Sequence, residues 1–204
     1  MNGLFVTVEG IDGAGKSTVV KTIQSEYKQC ISSKEPSNLW TGDAVYRSIT
    51  SDDTNPFTDF YLFMADRAHH IDNVIKPGLN DDMVVMSDRF ADSTRAYQFN
   101  ALDSELPGDE EFTEQYIDSL MEHWNVEPDI TIYLDISVDT SIERSEGKDK
   151  YEHREFLENV KQRYEYLQNK YSDRYVVVDG EQSKEGVKDD VLQIIQSSSE
   201  FQSL

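Results

Sequence analysis

The chain is short of three things: it has one cysteine, few cationic side chains and no long apolar run. Cys30 has no second cysteine to pair with, and four scattered histidines make no zinc pattern. His69-His70 therefore reads as a solvated pair on a helix rather than a metal site. No stretch approaches the roughly 20 apolar residues of a membrane span. Met1-Asn2-Gly3 runs straight into an apolar segment with no basic leader or cleavage signal, so the expectation is a soluble, cytoplasmic protein with no membrane partner. Lys and Arg number 19 against 40 Asp and Glu, a net charge of -21. A chain that grips a nucleic-acid backbone carries a basic stripe, so nucleic acid is not an expected partner. The acids are spread along the chain, as in Ser51-Asp52-Asp53, Asp109-Glu110-Glu111 and Asp189-Asp190. Such a surface repels itself and is screened by concentrated salt, which suggests adaptation to high salt, although Lys (11) and Arg (8) are not scarce. With no Pro/Gly/Ser-rich linker and no internal repeat, residues 1–204 read as one domain.

Five short apolar runs are present: Leu4–Val8, Cys30–Ser33, Met83–Met86, Ile130–Leu134 and Tyr175–Val178. Each reads as a buried strand, and the segments between them have helical period. The alternation predicts an α/β fold with a five-stranded parallel sheet and helices on both faces. Val19–Tyr27 and Asp59–Val74 are predicted helices, the second closed soon after by Pro77 and Gly78. Phe156, Leu157, Val160, Tyr164, Leu167 and Tyr171 form a core-facing stripe; residues 101–111 read as a loop and Ser197–Leu204 as a frayed tail.

Between the first strand and first helix stands EGIDGAGKST, residues 9–18, which fits G-x-x-x-x-G-K-[ST] at Gly10, Gly15, Lys16 and Ser17. Glycines let such a loop curl so that backbone N–H groups meet phosphate oxygens. Lys16 brings a point charge for the β/γ-phosphates, and the Ser17 hydroxyl is a ligand for Mg²⁺. The expected ligand is thus a nucleoside triphosphate, held by Gly10, Asp12, Gly13, Ala14, Gly15, Lys16, Ser17 and Thr18 in a P-loop NTPase fold; the resemblance described below implies the nucleoside monophosphate kinase type. The loop alone names only a superfamily. A guanine-reading Asn-Lys-x-Asp is missed by one residue at Asn169–Asp173, on the end of an amphipathic helix, which sets a GTPase aside.

The third strand ends in Ser87-Asp88-Arg89-Phe90. At a strand tip beside the phosphate loop, Asp88 suits Mg²⁺ or its waters and the planar fork of Arg89 suits a phosphate. The run DRFADSTRAYQ resembles thymidylate kinases, meeting the family pattern D-R-[YFH]-x-x-S-x-x-A-[YF] at Asp88, Arg89, Phe90, Ser93, Ala96 and Tyr97. The resemblance extends over most of residues 3–190 and implies transfer of the γ-phosphoryl group of Mg·ATP to dTMP, with Lys16, Asp88, Arg89 and a lid arginine as catalytic groups. It implies a dTMP site in which Lys34-Glu35-Pro36 replaces the family's Arg-Glu-Pro, Phe63 stacks on the base, and Arg67, one turn later on the same helix face, bonds a base carbonyl. It also implies that Asp12 contacts the sugar 3′-hydroxyl and that Tyr97 favours deoxyribose, with Ser93, Thr94 and Gln98 around the nucleotide.

A charged lid is expected over about residues 144–154. Family members without an arginine inside the phosphate loop carry catalytic arginines in the lid. Gly13-Ala14 places this chain with that bacterial-type form and makes Arg144 the preferred source of charge, with Arg154 the other guanidinium. Tyr151-Glu152 matches the family pair that closes over the sugar, and Gln182, in Val178–Ser183, matches the border of adenine. The family usually forms homodimers. Two other readings stand beside this one: a deoxynucleoside kinase, whose corresponding turn usually reads Glu-Arg-Ser, and a nucleotide-dependent regulator without catalysis.

Overall fold

The computed structural model describes residues 3–51, 53–144, 154–198 and 201. Its elements run β1 (Leu4–Glu9), α1 (Lys16–Glu26), β2 (Cys30–Lys34), α2 (Trp40–Ile49), α3 (Pro56–His70), a π turn (Ile71–Ile75), α4 (Lys76–Asn80), β3 (Val84–Asp88), α5 (Ala91–Tyr97), α6 (Phe99–Asp103), α7 (Glu110–Met121), β4 (Ile130–Asp135), α8 (Val138–Arg144), α9 (Arg154–Lys170), β5 (Tyr175–Asp179) and α10 (Lys184–Ser197). The strands form one parallel sheet in the order β2-β3-β1-β4-β5. The five expected strands are the five observed, each extended by a residue or so toward the carboxyl edge.

β1 is buried along its whole length because both sheet faces are covered. Its even residues Leu4, Val6 and Val8 join a cluster with Val19, Val20 and Ile23 of α1 and Leu157, Val160, Tyr164 and Leu167 of α9. Phe5 points to the other face, where it meets Phe60, Ile71, Ile75 and Val85. The predicted stripe on α9 is thus core, and truncating Leu157 or Leu167 to alanine would cost about 2–5 kcal/mol. A polar pair inside the sheet, Thr7 and Thr131, shares a 3.0 Å hydroxyl contact, and Thr131 Oγ1 also accepts from Arg174 Nη1.

Three expectations change. Pro77 and Gly78 do not close a helix; they lie inside α4, which continues α3 through the π turn. Pro77 has no N–H to give, and the widened turn ahead of it accommodates the missing bond. Gly78 is kept bare by packing, since a Cβ there would lie 2.7 Å from Val85 Cγ2. The loop expected at 101–111 is shorter: α6 runs to Asp103, and Asp109 caps α7 by accepting from Phe112 N at 3.0 Å. The tail is not wholly frayed, for the Phe201 ring meets Tyr27 edge-on at 5.7 Å; residues 199–200 and 202–204 lie outside the described residues.

Candidate active site

The strand order reverses at β1, whose neighbours β3 and β4 lead off in opposite directions, and in open parallel sheets the crevice beyond the carboxyl ends at that point takes ligands. Residues 10–15 leave the end of β1 there, and the Asp88-Arg89 turn leaves β3 beside it, Val8 lying in register with Asp88. Gly10 sits at φ 146°, where a Cβ would strike Leu134 O at 2.7 Å. Gly13 sits at φ 77°, where a Cβ would lie 3.1 Å from Arg144 Cβ and Ser141 O of α8. α8 thus covers this position of the loop, and any side chain there would be strained. Arg144 donates to Gly13 O at 3.3 Å and Gly180 O at 3.2 Å, spreading its guanidinium over the loop.

Lys16 opens α1 and folds back on its own loop, donating to Gly10 O at 3.0 Å and Ile11 O at 2.8 Å. Burial first, and then the neighbouring Arg89 charge, pull its ammonium down to about 8. The Ser17 hydroxyl donates to Asp88 Oδ2, so a hydroxyl and a carboxylate converge at the helix start. Arg89 adopts the left-handed region at φ 69°, uncommon for a side chain of its size. Its Nη2 donates to Asp12 Oδ1 at 2.6 Å and Tyr97 Oη at 3.1 Å, and its Nη1 to Ser93 Oγ at 3.1 Å. Tyr97 also donates to Asp12 Oδ2 at 3.0 Å. Burial pushes the Asp12 carboxyl upward, but Arg89 and Lys16 outweigh it and hold the group below its usual range.

A cavity of about 1020 Å³ gathers Asp12 through Thr18, Lys34, Glu35, Pro36, Asp88, Arg89, Arg144 and Gln182. Tyr46 and Ile49 of α2 and Lys184 and Lys188 of α10 line it as well, without having been expected. Phe63, Arg67, Ser93, Thr94, Tyr97 and Gln98 do not line it. Arg67 is fully buried, and its guanidinium bonds to protein groups. Nε and Nη2 donate to Glu35 Oε2 at 3.0 and 2.7 Å, and Nη2 also to Phe90 O at 3.1 Å and Thr94 Oγ1 at 2.7 Å. Glu35 is therefore a structural counter-ion in a turn whose Glu35-Pro36 bond is cis. Thr94 and Gln98 are buried too, whereas Phe63 is only half-buried and stands apart from both apolar clusters. Lys34 donates to Tyr46 Oη at 3.1 Å. His70 is not a solvated residue: it is buried, with Nδ1 3.1 Å from Glu35 Oε1. Tyr151 and Glu152 lie outside the described residues.

Sequence reasoning missed Glu9, although it begins the phosphate-loop run. The carboxylate is wholly buried and accepts from Phe90 N, Ser93 Oγ and Tyr164 Oη. A lone acid at the tip of an apolar strand was the available signal. Glu181 was missed as well: it accepts from Thr140 Oγ1 at 2.7 Å and Ser137 N at 2.8 Å, and these bonds hold its carboxyl down at about 2. It thereby fixes the loop after β5 to the start of α8.

Among the described residues, no helix is long and apolar enough to cross a membrane. The sequence profile of the thymidylate kinase family matches residues 8–191. A protein of Methanococcoides burtonii named "Probable thymidylate kinase" is 36% identical over 203 residues, covering 97% of this chain and 98% of that protein. Proteins of the same name are 37% identical in Halorubrum lacusprofundi, over 90% of this chain and 93% of that protein, and 38% identical in Methanosarcina acetivorans, over 96% of each.

Proposed function

The chain belongs to the thymidylate kinase family, and we propose that it transfers the γ-phosphoryl group of Mg·ATP to dTMP, giving dTDP and ADP. The observation that carries this reading is the meeting of two loops at the carboxyl edge of the sheet: Ser17 touches Asp88, and Asp12 touches Arg89. A donor site and an acceptor site built from neighbouring strand ends are what direct phosphoryl transfer requires, because the reaction needs positioning and charge neutralisation more than covalent help.

In this reading the loop amides and Lys16 hold the donor phosphates, and Arg89 holds the dTMP phosphate in line. The Ser17 hydroxyl and Asp88 carboxylate are hard oxygen donors of the kind Mg²⁺ takes together with substrate phosphates and water, and a bound Mg²⁺ would neutralise charge on the phosphate oxygens. Arg144 is poised over Gly13 and supplies charge to the transferring group. Asp12 and Tyr97 face the acceptor sugar, Phe63 its base, and Gln182 the adenine. Arg67, Ser93, Thr94 and Gln98 form the wall behind the acceptor: Arg67 shapes it by fixing Glu35 and Thr94. The lid carrying Tyr151 and Glu152 completes the single domain and excludes water. The family reading further carries a cytoplasmic homodimer, which light scattering of the purified protein tests.

Incubation with Mg·ATP and a panel of nucleosides and nucleoside monophosphates tests the activity. ADP release should be fastest with dTMP. Turnover of thymidine in preference to dTMP would instead make the protein a nucleoside kinase, a reading the Asp-Arg-Phe turn does not favour.

A further inference from the structure

Glu9 is the last residue of β1 and is followed directly by the phosphate loop, yet none of its bonds goes to that loop. Its Oε1 accepts from Phe90 N at 2.8 Å; its Oε2 accepts from Ser93 Oγ at 2.6 Å and Tyr164 Oη at 2.8 Å. The first two donors belong to the turn and helix that carry Arg89; the third comes from α9, the helix that begins at Arg154. Ser93 Oγ is also the acceptor of Arg89 Nη1 at 3.1 Å, so a relay runs from guanidinium through hydroxyl to carboxylate. Because the Ser93 proton is committed to Glu9, a lone pair of its oxygen is left to face Arg89. The backbone is held in parallel: Arg89 N donates to Val8 O at 3.0 Å and Phe90 N to Glu9, one bond on each side of the left-handed φ of Arg89.

We propose that Glu9 is a positioning residue for the acceptor site, holding Arg89 in its left-handed turn and setting the direction of its guanidinium through Ser93. Phe90 N, Ser93 Oγ and Tyr164 Oη all point protons at the Glu9 carboxyl group, an arrangement that the ionised group, the form above about pH 7, accepts in full. An amide that keeps its oxygen on Phe90 N–H turns its NH₂ toward the two hydroxyls, which must then accept where they had donated, so the Ser93 proton is released from Glu9 and the relay to Arg89 changes direction. Glu9 is wholly buried and does not line the cavity, so its influence runs through Arg89 and falls more on the partner of Arg89 than on the nucleotide held by residues 10–17.

The inference rests on the assignment of Arg89 to the dTMP phosphate, and a mutant cycle separates the two. Affinities for dTMP and, separately, for Mg·ADP are measured by ligand-observed NMR titration for the parent protein, Glu9→Gln, Arg89→Ala and the double variant. Glu9→Gln should weaken dTMP about tenfold and Mg·ADP less than about twofold, and should add nothing to Arg89→Ala. If Arg89→Ala leaves dTMP affinity intact, the assignment of Arg89 fails. If Arg89→Ala weakens dTMP but Glu9→Gln adds its full effect on top, or weakens both nucleotides equally, Glu9 is a general structural residue and the proposal fails. Tyr164→Phe keeps the carboxylate and removes one donor, so it serves in the same cycle should Glu9→Gln not fold. It should weaken dTMP about threefold and again be silent beside Arg89→Ala; equal loss of both nucleotides overturns the proposal.

Discussion

Asp12 and Arg89 are 77 residues apart in the chain and 2.6 Å apart in space, one in the loop after β1 and the other in the turn after β3. The pair is only partly covered, with 33% of the Asp12 side chain and 16% of Arg89 accessible, so both groups still face the cavity. An incoming phosphate would exchange for Asp12 at a guanidinium already oriented by Ser93 and Tyr97. We expect Arg89→Ala to lower kcat/KM for dTMP by about 10²- to 10³-fold in a coupled assay, the scale seen when one preorganised charge donor is removed. Arg89→Lys should rescue little, since an ammonium has neither the planar fork nor a second donor line to Tyr97.

Arg144 differs from Arg89 in what it touches: among the described residues its guanidinium donates to two backbone carbonyls, Gly13 O and Gly180 O. Such a contact is readily given up for a phosphoryl group. Arg144→Ala is therefore expected to reduce kcat by about 10²-fold or more with the KM for dTMP nearly unchanged, the pattern of an interaction made mainly in the transition state. A matched rise in KM with intact kcat would move Arg144 to ground-state binding.

Phe63 and Arg67 share a face of α3 but have different surroundings. Arg67 is wholly enclosed by Glu35, Phe90 and Thr94, whereas Phe63 is half-buried and joins neither apolar cluster. Phe63→Ala should raise the KM for dTMP about tenfold through loss of base stacking, leave the KM for ATP within about twofold, and cost less stability than a core phenylalanine. Arg67→Ala, by contrast, strands Glu35 in the interior and should lower Tm sharply.

The strands and the phosphate loop were legible because each is written locally: an apolar run of strand length, a spacing of glycines, a lysine at the helix start. Alternation implied a parallel sheet but not its order, β2-β3-β1-β4-β5, which is what brings residues 10–17 beside Asp88. What could not be read was which polar groups spend themselves on one another. The bond from Arg67 to Glu35, 32 residues away, is invisible to local pattern, and His70 looked solvated for the same reason. Glu9 was passed over since a carboxylate at a strand tip acquires meaning only once Ser93 and Tyr164 are packed against it. The helix past Pro77 was hidden because one π turn, a long-range packing compromise, replaces the break that proline ordinarily signals.

The net charge of -21 gives a separate expectation. Acid side chains spread over the surface repel one another over distances that salt screens, with a Debye length of roughly 10 Å at 0.1 M falling to about 3 Å at 1 M. Thermal unfolding followed from low salt to molar KCl should show Tm rising. A flat or falling midpoint would show that the acids are compensated locally by pairs such as Lys170 with Glu114 and Asp118.

Glu9 offers the clearest dependence on pH. Burial first, and then the charge of Asp92, raise its carboxyl from 4.5 to about 7, against the lowering influence of Ser93, Arg89 and Tyr164. Lys16 and Tyr175 also face it, and Asp92 is itself held by Arg174 and Arg95. The folded protein thus keeps a proton that the unfolded chain releases near 4.5. Between pH 4.5 and about 7 the folded state binds more protons at this site than the unfolded state, so stability falls as pH rises through that window and levels off above it. Glu9→Gln cannot titrate. The difference in Tm between the parent protein and Glu9→Gln, which cancels the other 39 acids to first order, should shift against the parent as pH climbs from 4.5 to 7 and then stay constant. A difference independent of pH across that range would mean that Glu9 is ionised throughout and that the three donors outweigh its burial.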